Sequence, residues 1–204
     1  MISPVPASIT GLILAGGLSR RMNNREKAFL PLAGKPMLSH VLTRLTPQVG
    51  TVVLNANGDP ARFAAFNRPV VADVRPGFLG PLAGIEAAFL SLNVDWLLSV
   101  PVDTPFFPKD LAAQMCQMAQ GGEVPVVVES AGRLHPVLAL WPRGILGDLT
   151  KVLDAKQLRL HDWFEHQEHR RLSIPIEEGG EDPFFNINRP DEQVLAESRL
   201  RKQK

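Results

Sequence analysis

The sequence predicts an α/β fold in which a mostly parallel sheet is covered by helices on both faces. Short apolar runs rich in β-branched residues alternate along the chain with stretches whose apolar residues repeat at helical spacing, and this alternation is typical of βαβ units. The length of 204 residues suits a single domain. The chain contains no Ser/Gly-rich linker that would separate two domains.

The strands are predicted from apolar runs bounded by glycine, proline or polar residues. Residues 9–15 form the first strand, a short apolar run that ends at Gly16 and Gly17. Six further strands are predicted at residues 51–55, 70–72, 95–100, 124–128, 137–141 and 172–176. In an open parallel sheet, ligands bind at the carboxyl ends of the strands. The polar residues that follow strands, Asn55, Asp73 and Asp103, are therefore candidate site residues.

The helices are predicted from apolar residues at i, i+3, i+4 and i+7. They are expected at residues 36–45, with Pro36 suited to the first turn, and at 82–92, 111–118, 148–153 and from Pro190 onward. The charged stretch at residues 161–171 is interpreted as a solvated helix face. Its three histidines, at i, i+5 and i+8, do not share one helical face, which disfavours a metal site. Residues 1–8 are expected as an extension, 9–197 as the domain and 198–204 as a basic tail.

The composition excludes several classes of protein. Hydrophobic residues make up 45% and charged residues 21% of the chain, as in ordinary globular domains. The 22 basic residues nearly balance the 21 acidic ones, whereas a nucleic-acid-binding protein is normally strongly basic. The single cysteine, Cys116, can form neither an internal disulfide nor a cysteine-based zinc site, and its helical surroundings predict a buried, inert thiol. No signal segment or membrane span is recognisable, so we expect a cytoplasmic protein.

The strongest local signal is the run LILAGGLSRRMNNREK at residues 12–27. Two glycines after a strand allow backbone N–H groups to approach an anion. Arg20, Arg21 and Lys27 then offer charge-assisted hydrogen bonds to phosphate oxygens. The run predicts a phosphate-binding loop that is neither the Walker loop nor the Rossmann glycine motif. An ordinary tight turn with solvated basic side chains is the structural alternative.

The part LAGGLSRRMNNREK, residues 14–27, resembles the signature of the nucleotidyltransferase superfamily and, within it, that of the molybdenum cofactor guanylyltransferases, which join GMP to molybdopterin. Further motifs follow in the order typical of that family: NAN at 55–57, Asp73, GPLAG at 80–84, DTP at 103–105, HP at 135–136 and FNINRP at 185–190. The resemblance covers residues 9 to about 197. The chain departs from the family pattern at Asn23, Asn24 and Glu26 and in the dipeptide at residues 101–102.

The resemblance implies a single-domain, Rossmann-like three-layer nucleotidyltransferase fold. It also implies Mg²⁺-dependent transfer of GMP from GTP to the terminal phosphate of molybdopterin, with release of pyrophosphate. It assigns GTP binding to Leu14, Ala15, Gly16, Gly17, Lys27, Asn55, Asp73 and Asp103. It assigns catalysis to Asp103, Lys27 and Arg21. The expected partners are GTP, molybdopterin and, transiently, other cofactor-biosynthesis proteins and acceptor molybdoenzymes, with neither nucleic acid nor membrane.

Each implied role has a chemical rationale and an alternative. Asp103 suits Mg²⁺, which takes one or two carboxylates together with phosphate oxygens and waters, but an aspartate here could instead cap the next helix. Asp73 could accept from a guanine N–H pair or a ribose hydroxyl, or could shape a turn. Asn186 and Asn188 would contact the pterin or the metal, although asparagine also favours turns. His135 is interpreted as a structural or substrate-side residue.

Two other functions compete with guanylyl transfer. The first is a related nucleotidyltransferase that uses CTP on molybdopterin, or a sugar phosphate as acceptor. CTP-using relatives tend to carry alanine where this chain has Gly16, and sugar-phosphate relatives usually read G-x-G-T-R where this chain reads GLSRR at residues 17–21. The second is an inactive carrier of the pterin. The presence of Lys27 and Asp103 disfavours a carrier.

Overall fold

The computed structural model describes residues 3–16, 18–19 and 25–202. The strands of this part are β1 Thr10–Leu14, β2 Leu18–Ser19, β3 Arg25–Glu26, β4 Pro31–Leu32, β5 Lys35–Pro36, β6 Thr51–Asn55, β7 Val70–Val71, β8 Trp96–Pro101, β9 Val126–Ser130, β10 Arg133–Pro142 and β11 Arg170–Ser173. The α-helices are α1 Met37–Leu45, α2 Pro81–Ser91, α3 Leu111–Met118, α4 Leu146–Asp154, α5 Leu160–His166 and α6 Pro190–Lys202. Among the described residues, no helix combines the length and apolar character of a membrane span.

A seven-stranded sheet forms the centre of the described chain, in the order β11-β9-β10-β8-β1-β6-β7. Within it, β10 is antiparallel to β8 and β9, and the other neighbouring pairs are parallel. The predicted α/β fold with a mostly parallel sheet is confirmed. The sequence predicted only the second half of β10, and it did not indicate that this strand runs against its neighbours.

Adjacent residues of each strand point to opposite faces of the sheet, and each face is covered by helices. Leu12 and Val53 belong to the core beneath α2, α4 and α5, whereas Ile13 and Leu54 belong to the core beneath α1 and α3. This alternation follows from the two-residue period of a strand. The result is the three-layer arrangement expected from strands that are apolar on both sides.

Two segments differ from the sequence-based expectation. The charged stretch 161–171 is not one solvated helix, because α5 ends at His166 and β11 begins at Arg170. Within α5, Trp163 and Phe164 are buried against the sheet, so only part of its surface is solvated. Residues 198–202, expected as a basic tail, are the last turns of α6. Arg199 is 6% exposed, and its guanidinium lies 4.4 Å from the centre of the Phe106 ring.

The parallel strands end together, and this determines where a site can form. Leu14 at the end of β1 pairs with Asn55 of β6 on one side and with Pro101 of β8 on the other. The residues after these three strands therefore converge at one edge of the sheet. Helix α2 packs closely against the same edge, because a Cβ atom on Gly84 would lie 2.3 Å from Asn55 Oδ1. A glycine is required there for close packing.

Two hairpins in the described chain use the same dipeptide as a two-residue turn. Ala33-Gly34 joins β4 to β5 and Ala131-Gly132 joins β9 to β10. All four residues have positive φ, with 48° at each alanine, as a type I′ turn requires. Alanine is unfavourable in this left-handed conformation, which asparagine tolerates better.

We expect Ala33→Asn to raise the free energy of unfolding by about 0.5–1 kcal/mol, because asparagine accepts the left-handed backbone with less strain. Urea denaturation measures the gain. The matched control is Ala155→Asn, at the end of α4, where φ is −76° and no gain is expected. Equal effects at the two positions would contradict the strain assigned to Ala33.

Candidate active site

A cavity of about 580 Å³ opens at the carboxyl ends of β1, β6 and β8. Its walls include six residues that the sequence assigned to the site: Leu14, Gly16, Asn55, Asp73, Asp103 and Asn186. Ala15 is buried beside it, with its N–H donating to the Asn55 carbonyl oxygen at 2.9 Å. This position matches the rule that ligands of open α/β sheets bind at the carboxyl ends of strands.

Asp103 and Lys27 form a salt bridge at one end of the cavity. Lys27 Nζ lies 2.6 Å from Asp103 Oδ2, and the two side chains are 16% and 15% exposed. The same ammonium donates to Asn188 Oδ1. Three segments far apart in the sequence thus place one carboxylate, one cation and one amide together.

The backbone around Asp103 fixes this arrangement. Ile187 N donates to the Asp103 carbonyl oxygen at 2.9 Å, and Thr104 Oγ1 donates to Asn186 Oδ1. The loop carrying Asn186 and Asn188 is therefore hydrogen-bonded to the segment after β8. Asp103 does not cap a helix, because α3 begins at Leu111 with Asp110 in the N-cap position.

A network of amides holds the Asp73 carboxylate, which lines the cavity after β7, three strands away from β8. Asn55 Nδ2 donates to Asp73 Oδ1 at 2.9 Å, and Asn57 Nδ2 donates to Asp73 Oδ2 at 2.8 Å. In return, Asp73 N donates to Asn57 Oδ1 at 2.9 Å. Asn57 was not among the assigned site residues. Its two-residue spacing from Asn55 could have identified it, because this spacing places both side chains on the same side of an extended chain.

A partly exposed arginine that pairs with a buried glutamate supports the segment after Asp73. Arg75 donates from Nε and Nη2 to the two oxygens of Glu86, at 2.6 and 2.8 Å, and from Nη1 to Asp154 Oδ1 at 2.5 Å. Glu86 is 1% exposed and lies on α2, a helix that is otherwise apolar. A lone carboxylate in such a helix is a signal for a buried partner, but the sequence does not identify Arg75 as that partner.

The start of β10 forms the wall opposite the Asp73 network. Pairing with β9 shifts between His135, opposite Val128, and Ala139, opposite Val127. Residues 136–138 are left without partners on β9 and line the cavity. The bulge is consistent with the tendency of such irregularities to occur beside sites. It gives the cavity an apolar wall of proline, valine and leucine.

His135 is held between two neighbours at this wall. Its Nε2 lies 2.7 Å from Ser130 Oγ, and its ring centre lies 4.9 Å from that of Phe184. Burial lowers the pKa of His135 below its ordinary value of 6.5; Arg133 lowers it further, while Asp182 opposes the change. The imidazole is therefore neutral at pH 7.

Three of the predicted site residues cannot be placed relative to this geometry. Gly17, Arg20 and Arg21 lie outside the described residues. Across residues 3–16, 18–19 and 25–202, no group of three or more His, Cys, Asp or Glu side chains could hold a metal ion. Cys116 is buried, and burial raises the pKa of its thiol to about 11. The prediction of an inert thiol is thus supported by its surroundings.

Comparison with known proteins shows the relationship of most of the chain. The family model for the MobA-like NTP transferase domain matches residues 11–171. A molybdenum cofactor guanylyltransferase of Rhizobium meliloti (strain 1021) is 45% identical over 199 residues, which cover 93% of this chain and 90% of the relative. One of Rhodopseudomonas palustris (strain BisB5) is 42% identical over 193 residues, which cover 91% of each chain.

Solved structures show the same fold at lower identity. The molybdopterin-guanine dinucleotide biosynthesis protein A of Archaeoglobus fulgidus superposes with a TM-score of 0.77 at 22% identity, covering 95% of this chain and 99% of the other. A CMP:2-keto-3-deoxy-manno-octonic acid synthetase complexed with CTP superposes with a TM-score of 0.75 at 14% identity, covering 96% and 99%. These two likenesses establish the fold alone.

The lowered pKa of His135 leads to a stability prediction. The unfolded chain takes up a proton near pH 6.5 that the folded protein resists, so the free energy of unfolding falls as the pH drops from 7 to 5. We expect His135→Gln to lose less stability than the parent protein over this range. Urea denaturation at each pH measures the difference, with His161→Gln, at an exposed position of α5, as the control. Parallel profiles for the parent and His135→Gln would contradict the burial effect.

Proposed function

This chain belongs to the family of MobA-like NTP transferase domains, and from that premise we propose that it transfers GMP from GTP to the terminal phosphate of molybdopterin. The products are pyrophosphate and molybdopterin guanine dinucleotide. Relatives named molybdenum cofactor guanylyltransferases, 42% and 45% identical over at least 90% of both chains, support this activity. The observation that carries the proposal is the Lys27–Asp103 pair at the end of a cavity that Asp73 also lines.

The reaction is an in-line displacement at the α-phosphorus of GTP. A phosphate oxygen of molybdopterin forms the new P–O bond, and the bond between the α-phosphorus and the bridging oxygen breaks as pyrophosphate leaves. The attacking phosphate is already ionised, so no strong general base is needed. The protein's contribution is to position two anions and to neutralise their charge. This requirement agrees with the presence of Lys27 and Arg133 beside the cavity.

The residues present fit a magnesium ion. Asp103 faces the cavity, and within the described chain only its Oδ2 is engaged, by Lys27. One free carboxylate oxygen suits a cation that takes its other ligands from substrate phosphates and water. Mg²⁺ bound there would offset the repulsion between the phosphate groups. We propose that Asp103 holds this ion, with Asn186 and Asn188 nearby on the adjoining loop.

Lys27 provides positive charge at the same place. Its ammonium is already oriented by Asp103 and Asn188, so little side-chain freedom is lost when a phosphate oxygen becomes a third partner. We propose that Lys27 contacts the triphosphate and the departing pyrophosphate. From the resemblance of the glycine-rich run, we assign Gly17, Arg20 and Arg21 to the same phosphates.

Leu14, Ala15, Gly16, Asn55 and Asp73 would then hold the nucleoside. The Asp73 carboxylate accepts hydrogen bonds, and guanine presents N–H groups that such an acceptor can bind. A Cβ atom on Gly16 would lie 3.7 Å from Ala56 Cα and 3.9 Å from its other nearest neighbours. These are ordinary contacts, so the protein itself can accommodate a methyl group at this position.

Because the protein can accommodate a methyl group at position 16, Gly16→Ala is a test of nucleotide specificity. In Gly16→Ala the methyl group meets the bound base rather than the protein, which should cost about 1–3 kcal/mol. We expect the parent enzyme to prefer GTP over CTP, and the variant to use GTP roughly 5- to 150-fold less well by kcat/KM. The measurement is product formation with molybdopterin and each nucleotide. The control is Gly147→Ala on α4, where the added Cβ meets nothing within 4 Å. A parent enzyme that uses CTP as well as GTP would instead support the cytidylyl alternative.

The metal assignment predicts a loss of turnover in Asp103→Asn. Removing the charge should weaken Mg²⁺ binding and lower kcat roughly 100- to 1,000-fold, the effect of losing several kcal/mol of charge stabilisation. Chelation of Mg²⁺ should abolish the activity of the parent enzyme. Asp110→Asn, just before α3, is the control and should remain active. Full activity of Asp103→Asn with an unchanged Mg²⁺ requirement would refute the role of Asp103 as the ligand.

A further inference from the structure

The cavity has two halves, of which the nucleotide accounts for one. Asn55, Asn57 and Asp73 form the half assigned to the nucleoside, while the start of β10, from Arg133 through the bulge at 136–138, forms the opposite half. We propose that the β10 half is the acceptor subsite, in which Arg133 binds the phosphate of the acceptor. This inference rests on the proposed function and states where in the cavity the second substrate binds.

The charges of the cavity wall favour this assignment. Among the described residues lining the cavity, Asp73 and Asp103 are acidic and Arg133 is the one permanent cation. Lys27, which pairs with Asp103, is assigned to the phosphates of GTP. Within the described chain the side chain of Arg133 makes neither a hydrogen bond nor a salt bridge and is exposed, so its guanidinium is available for a ligand. A guanidinium matches the geometry of a phosphate through two parallel hydrogen bonds.

The fold places Arg133 on the side where the acceptor phosphate must approach. His135, two residues along the strand and therefore on the same face, contacts Phe184. Phe184 belongs to the loop whose Asn186 and Ile187 are hydrogen-bonded to Thr104 and Asp103. One continuous set of contacts thus links the start of β10 to the proposed metal ligand.

The local backbone limits the freedom of Arg133. It is the first residue of β10, directly after the two-residue turn Ala131-Gly132, and it pairs with Ser130 across the hairpin. The contact between His135 and Ser130 Oγ joins the two strands of the same hairpin. Because the backbone at Arg133 is fixed at the rim, the side chain alone needs to adjust when a phosphate enters.

The bulge supplies the remaining part of an acceptor site. Pro136, Val137 and Leu138 present an apolar surface beside Arg133, which suits the flat face of a heterocycle better than a second phosphate chain. A ligand with an anionic end and a planar ring end therefore matches this half of the cavity. Such a ligand is an organic phosphate monoester carrying a heterocycle, which is the class to which molybdopterin belongs.

The test is steady-state kinetics of Arg133→Ala, Arg133→Lys and the parent enzyme, with molybdopterin varied at saturating GTP and GTP varied at saturating molybdopterin. We expect Arg133→Ala to raise the KM for molybdopterin about 10- to 100-fold, as the loss of a charge-assisted hydrogen bond predicts, and to change the KM for GTP less than twofold. Arg133→Lys keeps the charge but lacks the paired donors, so its KM for molybdopterin should lie between those of the parent enzyme and Arg133→Ala. Arg159→Ala, at an exposed arginine just before α5 and away from the cavity, is the matched control.

The outcomes distinguish a failure of the acceptor-subsite inference from a failure of the proposed function. An unchanged KM for molybdopterin in both Arg133 variants, or a rise in the KM for GTP of equal size, would overturn the acceptor subsite while leaving guanylyl transfer intact. Absence of product with the parent enzyme would refute the proposed function, and the inference would fall with it. The Arg133 side chain is exposed and has no partner in the described chain. We therefore expect both variants to have melting temperatures within about 2 °C of that of the parent protein. If the alanine variant does not fold, Arg133→Lys alone provides the test.

Discussion

The salt bridge between Lys27 and Asp103 is the interaction on which the organisation of the site depends. Its partners are 76 positions apart in the sequence, and Asn188 adds a third segment 161 positions from Lys27. A partly buried ion pair of this kind contributes little net stability, because desolvation of both groups offsets their attraction. Its consequence is positional: three separate segments must be correctly packed before the cation and the carboxylate meet at the end of the cavity.

Much of this arrangement follows from features that a sequence displays. A buried run that ends in glycine, and aspartates that follow strands, are local patterns, and parallel strands bring their carboxyl ends to one edge. Asn55, Asp73 and Asp103 could therefore be predicted to converge. The site residues on the last loop could be proposed only through the family resemblance, because no local pattern relates Asn186 or Asn188 to a strand end.

Other features could not be predicted because they depend on tertiary pairing. The apolar residues of β10 suit a strand in either direction, and its antiparallel orientation is decided by which neighbours it meets. The bulge after His135 could not be predicted either, because a bulge is defined by the pairing with the partner strand. The pairing of Arg75 with Glu86 connects a loop to a helix, and nothing in the sequence between them fixes that geometry. The charged residues of the stretch 161–171 predicted a solvated helix, although Trp163 and Phe164 are buried against the sheet.

The two carboxylates of the cavity differ in how their charge is balanced, and this difference separates their roles. Asp103 has a cationic partner, so anionic phosphates can approach it once a metal ion or Lys27 offsets the charge. Asp73 is held by the neutral amides of Asn55 and Asn57 and has no cationic partner within the described chain. An uncompensated carboxylate repels phosphate and attracts neutral N–H or O–H donors. We infer that the nucleoside lies with its base or ribose at Asp73 and its phosphates at Lys27, which orients the nucleotide along the cavity and leaves the β10 wall for the acceptor.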